Sequence, residues 1–524
     1  MKKYILSLFS VASLLFLSSC NNDFDQDVTE IKPTSGEANF SNYIAIGNSL
    51  TSGFSNNALY IDGQNESFPS IIAKQLQKAG GGDFIQPMMD DNNGGLLLAG
   101  VPIQGTKLYI SGFADGSPII ANVEANPTTD ITKKITGKLN NFGVPGAKSF
   151  HLLAPGYGNI AGVATGQANP YYVRFSSSDT STVIGDAAAQ SPTFYTLWIG
   201  NNDVLSYASG GGVGKDQKGN VDPSTYGSED ITDPTVLGAS IKGIIDAMVA
   251  AGATQGVIAN IPDVSAIPYF TTVPYQPLSP TNPAFAPMIP LLNETFGALN
   301  QVFAALGVPE RSISFANDAA SAVVIKDKNL TDIGPQITQA LTPILGLQQA
   351  TLFGLLYGQV RQAKASDFIV LTASSIIGQP NQEALQMLVS LGVPTEQAAQ
   401  LSINGVTYPL EDKYVLTQKE QEPVNDAVNA YNQIIAQLAN QYGLALVDAN
   451  TMMEELGSQS GLSWNGVNYT AKFVTGGAFS LDGVHLTGRG YAIVANEFIK
   501  AMNDKYKSTV TQVNPNDYSG VKFP

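Results

Sequence analysis

Histidine, cysteine and basic side chains are scarce here: the 524 residues include 2 His, 1 Cys and 27 Lys+Arg against 43 Asp+Glu. Two histidines and one cysteine exclude an HExxH helix and a Cys/His zinc cluster. Cys20 has no other cysteine to pair with, so no intramolecular disulfide supports the fold and stability must come from the core. The formal charge of -16 repels nucleic acid and anionic bilayer surfaces, which argues against a nucleic-acid partner. The chain has no Walker loop, no G-x-G-x-x-G and no G-x-S-x-G elbow of the α/β-hydrolase kind. Chemistry without a cofactor is the natural expectation, and an imidazole-based step must use His151 or His485.

His485 ends the segment SLDGVH, three residues after Asp482. On a helical turn or tight loop, i and i+3 lie side by side, so Asp482 can take one imidazole N–H and leave the other nitrogen free as a base. Upstream, Tyr43 to Phe54 reads YIAIGNSLTSGF. The apolar run fits a short buried strand broken at Gly47, which sets Ser49 just beyond its carboxyl end, where open α/β sheets hold ligands. A serine hydroxyl needs a base within hydrogen-bond reach to act as a nucleophile, and His485 is the candidate. Two further blocks are NFGVPGAKS at Asn141 to Ser149 and TLWIGNNDVL at Thr196 to Leu205.

With GNSL, PG, GNND and DGVH in this order, the chain resembles the SGNH or GDSL family of serine esterases and lipases. The resemblance implies Ser49 as nucleophile, His485 as base and Asp482 as the group that orients it. It further implies an oxyanion hole made of the Ser49 N–H, the Gly146 N–H and the Asn202 side-chain amide, aimed at charge developing on the carbonyl oxygen. The chain departs from the family motif at Asn48, where the family has Asp; Asn still hydrogen-bonds neighbouring backbone without the charge. Plain structural roles compete with these: a helix N-cap for Ser49, a turn glycine for Gly146 and a turn residue for Asn202. His151, in SFHLL, reads as a structural histidine.

At the amino terminus, Lys2 and Lys3 precede an apolar stretch from Tyr4 to Leu17, then Ser18, Ser19 and Cys20. This pattern is a secretory signal, too short for a spanning helix. LSSC resembles the bacterial lipobox, which implies cleavage before Cys20 and lipidation of it. The expected location is the bacterial cell envelope, anchored by lipid to the outer membrane, periplasmic or surface-exposed. Residues 20–40 are polar and acidic and read as a flexible tether.

Phe68 to Gln77 and Thr235 to Ala251 fit helices, and Val257 to Ile261 fits a strand. Val424, Val428, Tyr431, Ile435, Leu438 and Tyr442 form a helix stripe that stops at Gly443, with a strand at Leu444 to Val447. Strands alternating with helices predict a parallel sheet with helices on both faces; the resemblance implies a three-layer α/β/α sandwich of the SGNH type. The expected division is a signal peptide over 1–19, a tether over 20–40, a hydrolase core over 41–263 and 405–524, and a large, mainly helical insertion over 264–404. That insertion opens proline-rich, carries helix-like pieces at Leu291 to Leu306 and Gln336 to Val360, and is either a roof for the site or a packed structural subdomain with no substrate role. The resulting expectation is a carboxylic ester hydrolase working through an acyl-enzyme. A carbohydrate O-deacetylase and a non-catalytic binding lipoprotein are the alternatives.

Overall fold

A computed structural model describes residues 32–114 and 116–524. Five short strands build one parallel sheet: β1 (Tyr43–Gly47), β2 (Asn141–Gly143), β3 (Phe194–Trp198), β4 (Gly256–Ala259) and β5 (Ala445–Val447). Their order is β2-β1-β3-β4-β5, and every neighbouring pair is parallel. The order reverses between β1 and β3, and open parallel sheets present a crevice at the strands' carboxyl ends at such a point. Register sets its floor, since Gly47 closing β1 stands opposite Trp198 closing β3.

β1 and β3 are buried at every residue, which suits unbroken apolar runs covered on both faces. The hydroxyl of Thr196 on β3 is satisfied internally by Tyr43 at 2.8 Å. The helices used below are α1 (Ser49–Ser52), α2 (Phe68–Lys78), α3 (Asn202–Ser209), α4 (Pro234–Ala250), α5 (Ile289–Ala305), α6 (Gly334–Leu345), α7 (Leu347–Tyr357), α8 (Gln418–Tyr442), α9 (Ala449–Gly457) and α10 (Gly488–Tyr506). α2 starts where Ser67 caps the Ser70 N–H, and it packs on α10 through stacked Phe68 and Phe498 rings 4.8 Å apart. Trp198 meets Phe68 edge-on at 5.7 Å, which ties this helix pair to β3. α8 opens with Glu420 taking the Thr417 N–H and ends at Gly443, whose φ of 66° suits glycine. Its stripe of Val424, Val428, Tyr431, Ile435 and Leu438 is buried and α8 packs against α4. Each aliphatic side chain so buried contributes about 1.5–3 kcal/mol.

The alternation of strands and helices read from the sequence is present as this flanked sheet, and three details differ. Residues from Thr34 onward, assigned by composition to the tether, are packed: Glu37 N–H bonds Tyr506 O at 2.7 Å, and Phe40 is 2% exposed, edge-on to Phe194 at 4.9 Å. Phe40 is an apolar anchor that the polar average of the segment conceals. The single helical stretch expected from Gln336 to Val360 is two helices, α6 and α7, divided at Gly346 with φ 78° and ψ 160°. Antiparallel hairpins at Leu96–Gln104 and Leu108–Asn122 were not anticipated. Within residues 264–404, a buried ion triad ties the segments at 327, 361 and 367 together: Arg361 bonds Asp327 at 2.8 Å and Asp367 at 2.6 Å. Asp367 also accepts the Gln418 N–H opening α8, which fastens this segment to the rest of the chain.

Candidate active site

β1 must end in glycine, because a Cβ on Gly47 would lie 2.4 Å from the Trp198 carbonyl and 2.1 Å from Thr51 Oγ1. The chain then turns into α1, with Asn48 as its cap: Oδ1 accepts the Leu50 N–H at 3.1 Å. Asn48 Nδ2 points to Asn201 Oδ1 at 3.4 Å, so the amide found here in place of a carboxylate meets another amide rather than a cation. Ser49 follows at the first position of α1, 6% exposed, at the carboxyl end of β1.

Ser49 Oγ lies 2.9 Å from His485 Nε2, and His485 Nδ1 lies 2.9 Å from Asp482 Oδ2. A carboxylate can only accept, so Nδ1 carries the proton and Nε2 offers its lone pair to the Ser49 hydroxyl. Asp482 Oδ1 also accepts the N–H groups of His485 at 2.8 Å and Val484 at 2.9 Å, and the Ser480 hydroxyl at 3.1 Å. Burial alone would raise this carboxyl. The His485 ring N–H and those backbone donors outweigh burial and hold Asp482 well below the usual carboxylate range.

The two loops are tied to each other as well as to the sheet. Asn57 N–H donates to Asp482 Oδ2 at 2.8 Å, Asn56 N–H to Ser480 Oγ at 2.9 Å, and Leu481 N–H to Asn56 Oδ1 at 3.1 Å. Asn56 and Asn57 both have positive φ, 51° and 61°, a conformation asparagine tolerates better than most residues. Phe54 packs its ring 4.6 Å from the imidazole, and Tyr491 OH of α10 holds the Phe54 carbonyl at 2.6 Å. From the far side, Tyr269 N–H donates to Gly483 O at 2.9 Å, and Leu371 abuts Gly483. Residues within 264–404 thus back the His485 loop.

The Gly146 and Asn202 blocks converge on the same strand ends. Val144 N–H bonds Gly47 O at 3.0 Å, and Pro145 O accepts Asn169 Nδ2 at 2.8 Å. Gly146 has φ 79° with open space beside it. Asn202 opens α3, and its Nδ2 donates to Ala147 O at 3.0 Å, which orients the amide and leaves its second N–H. Among the described residues, neither the Ser49 nor the Gly146 backbone N–H has a protein acceptor. Asp203, to which the sequence reading gave no role, accepts both the N–H and the hydroxyl of Ser149 at 2.8 and 2.7 Å. Its fully buried carboxyl is raised chiefly by that burial, and it binds the loop after Gly146 to α3. The only signal for it was its place as the last letter of GNND.

His151 stands apart from this relay. Its Nδ1 accepts the Lys148 N–H at 3.1 Å and its ring stacks on Tyr157 at 4.7 Å. Burial, aided by the Lys148 charge, lowers its pKa to about 4, so it is a neutral capping side chain. Cys20 lies outside the described residues. Among the described residues no group of three or more His, Cys, Asp or Glu side chains is placed to hold a metal ion, and no helix is long and apolar enough to cross a membrane.

A cavity of about 60 Å³ opens beside Ser49 and His485, between α3, α9 and the segment after β4. No family model, curated protein or solved structure matches this chain.

Proposed function

We propose that this protein is a serine hydrolase of carboxylic esters, of SGNH/GDSL type, with Ser49 as nucleophile. The observation that carries the reading is the unbroken relay from Asp482 through His485 to Ser49, with both links at 2.9 Å. The unpaired N–H groups of Ser49 and Gly146 and the free amide hydrogen of Asn202 support it as donors for an oxyanion. Ser49 Oγ attacks the ester carbonyl and its proton passes to His485 Nε2. The tetrahedral oxyanion collapses, the C–O bond to the alcohol breaks, and the same proton goes to the leaving oxygen. Water then gives one proton to Nε2 and attacks the acyl-enzyme; collapse returns that proton to Ser49 and releases the acid. Asp482 keeps the imidazole in the required tautomer throughout and stabilises its charged form.

In the same reading, the sheet and its helices form the three-layer core over 41–263 and 405–524. Residues 264–404 are an insertion that roofs the site, an assignment supported by the contacts of Tyr269 and Leu371 with Gly483. The lipobox-like LSSC supports lipid attachment at Cys20, envelope localisation and a membrane partner met through that anchor. The test is a fluorophosphonate probe: wild type is labelled at Ser49, and Ser49→Ala loses both labelling and ester hydrolysis while keeping its thermal transition. Labelling that persists in the variant refutes the assignment.

A further inference from the structure

We infer that the ester cleaved at Ser49 carries a short apolar acyl chain, longer than acetyl, seated in the cavity beside Ser49 and His485. This inference rests on the hydrolase reading above and names its substrate class.

No Lys, Arg, Asp or Glu lines the cavity. Its walls beyond the reacting pair are mainly hydrocarbon and thioether, with Leu205 from α3, Val264 and Ile267 after β4, and Met452, Met453 and Leu456 from α9. Beyond the reacting pair and the Asn202 N–H assigned to the oxyanion, two of the three remaining polar side chains in its wall are engaged. Asn48 uses Oδ1 on Leu50 N–H and Nδ2 on Asn201, and the Trp198 indole N–H donates to Asn260 O at 3.0 Å. A sugar ring placed here would bury most of its hydroxyls without partners, and an anionic headgroup would meet no cation. An alkyl chain loses nothing on entry and gains by leaving water. At about 60 Å³ the cavity is small, so it suits a short alkyl chain and not a long one. An acetyl group would leave part of this apolar wall uncovered, and a long chain must run out of the cavity.

The experiment measures kcat/KM of the whole protein on p-nitrophenyl acetate, butyrate, hexanoate and decanoate, on ethyl and hexyl acetate, and on acetylated xylan. Filling the cavity is worth up to about fourfold per methylene, from about 0.8 kcal/mol each, so hexanoate should exceed acetate by on the order of 10²-fold before the series flattens. Met452→Trp fills part of the cavity and should cut the hexanoate-to-acetate ratio about tenfold. Leu456→Ala deepens the cavity and should move the optimum to longer acyl chains. A flat acyl series, a rise with alcohol length instead of acyl length, or acetylated xylan matching hexanoate would each overturn the inference. In those cases fluorophosphonate labelling of Ser49 would survive. Loss of labelling together with all ester turnover would instead overturn the hydrolase reading itself.

Discussion

Asp482→Asn is the sharpest single test of how His485 is set. The carboxylate takes five donors on two oxygens: Ser480 Oγ, Val484 N–H and His485 N–H on Oδ1, and Asn57 N–H and His485 Nδ1 on Oδ2. An asparagine supplies one oxygen, and keeping it on the Oδ1 side preserves three of these bonds. Its NH₂ then faces two donors where Oδ2 stood. The Asn57 N–H cannot rotate away, but the imidazole can shift its proton to Nε2 and accept at Nδ1. That tautomer presents N–H to the Ser49 hydroxyl, which destroys the base. The expected loss in kcat is up to about 10⁴-fold, or about 5 kcal/mol of barrier, and smaller than for His485→Ala. The unpaired Asn57 N–H should also lower stability by about 1–3 kcal/mol. Steady-state kinetics on one activated ester, beside urea unfolding, reads both. A kcat within tenfold of wild type would refute the claim that this carboxylate sets the tautomer.

Asn202→Ala should lower kcat by about 10²–10³-fold with little change in KM, the usual effect of losing one oxyanion donor; an unchanged kcat would remove Asn202 from the site. His151 predicts a pH effect on stability. Its folded pKa of about 4 lies below the ordinary 6.5, so between these values the unfolded chain binds more protons and stability falls as pH drops, by roughly 3 kcal/mol in all. His151→Gln should shrink the acid-induced loss seen by urea unfolding at pH 7 and pH 4 while kcat stays near wild type, and equal losses in both proteins would contradict the buried neutral imidazole. Cys20→Ser should move the protein from the detergent-extracted membrane fraction to a soluble or uncleaved form, and a wild type that is soluble without detergent would end the lipid-anchor reading.

Much of the architecture was written locally. The apolar runs at Tyr43 and Phe194, the stripe of α8 and its stop at Gly443 depend on neighbours one to four residues away, and the chain forms them where the pattern falls. Asp482 and His485 were readable as a pair for the same reason, being three residues apart on one tight loop. Asn48, Ser49, Gly146 and Asn202 were legible as short blocks at strand ends. Local pattern failed where averages hid a break or an anchor, as at Gly346 and Phe40.

Only the tertiary structure could bring Ser49 to His485 across 436 positions, or lock Asp482 with the Asn57 N–H across 425. Neither partner carries a periodicity that names the other, since the meeting is decided by strand order and by which loops leave the same end of the sheet. The cavity is of this kind too. Leu205, Val264 and Leu456 are ordinary apolar residues in their own segments, and they become one wall because α3, the turn after β4 and α9 converge on the switch between β1 and β3. The sequence by itself therefore determined which side chains had the chemistry to form a proton relay. The packing of distant segments decided that the relay is assembled, how its imidazole is held, and that the space beside it is hydrocarbon.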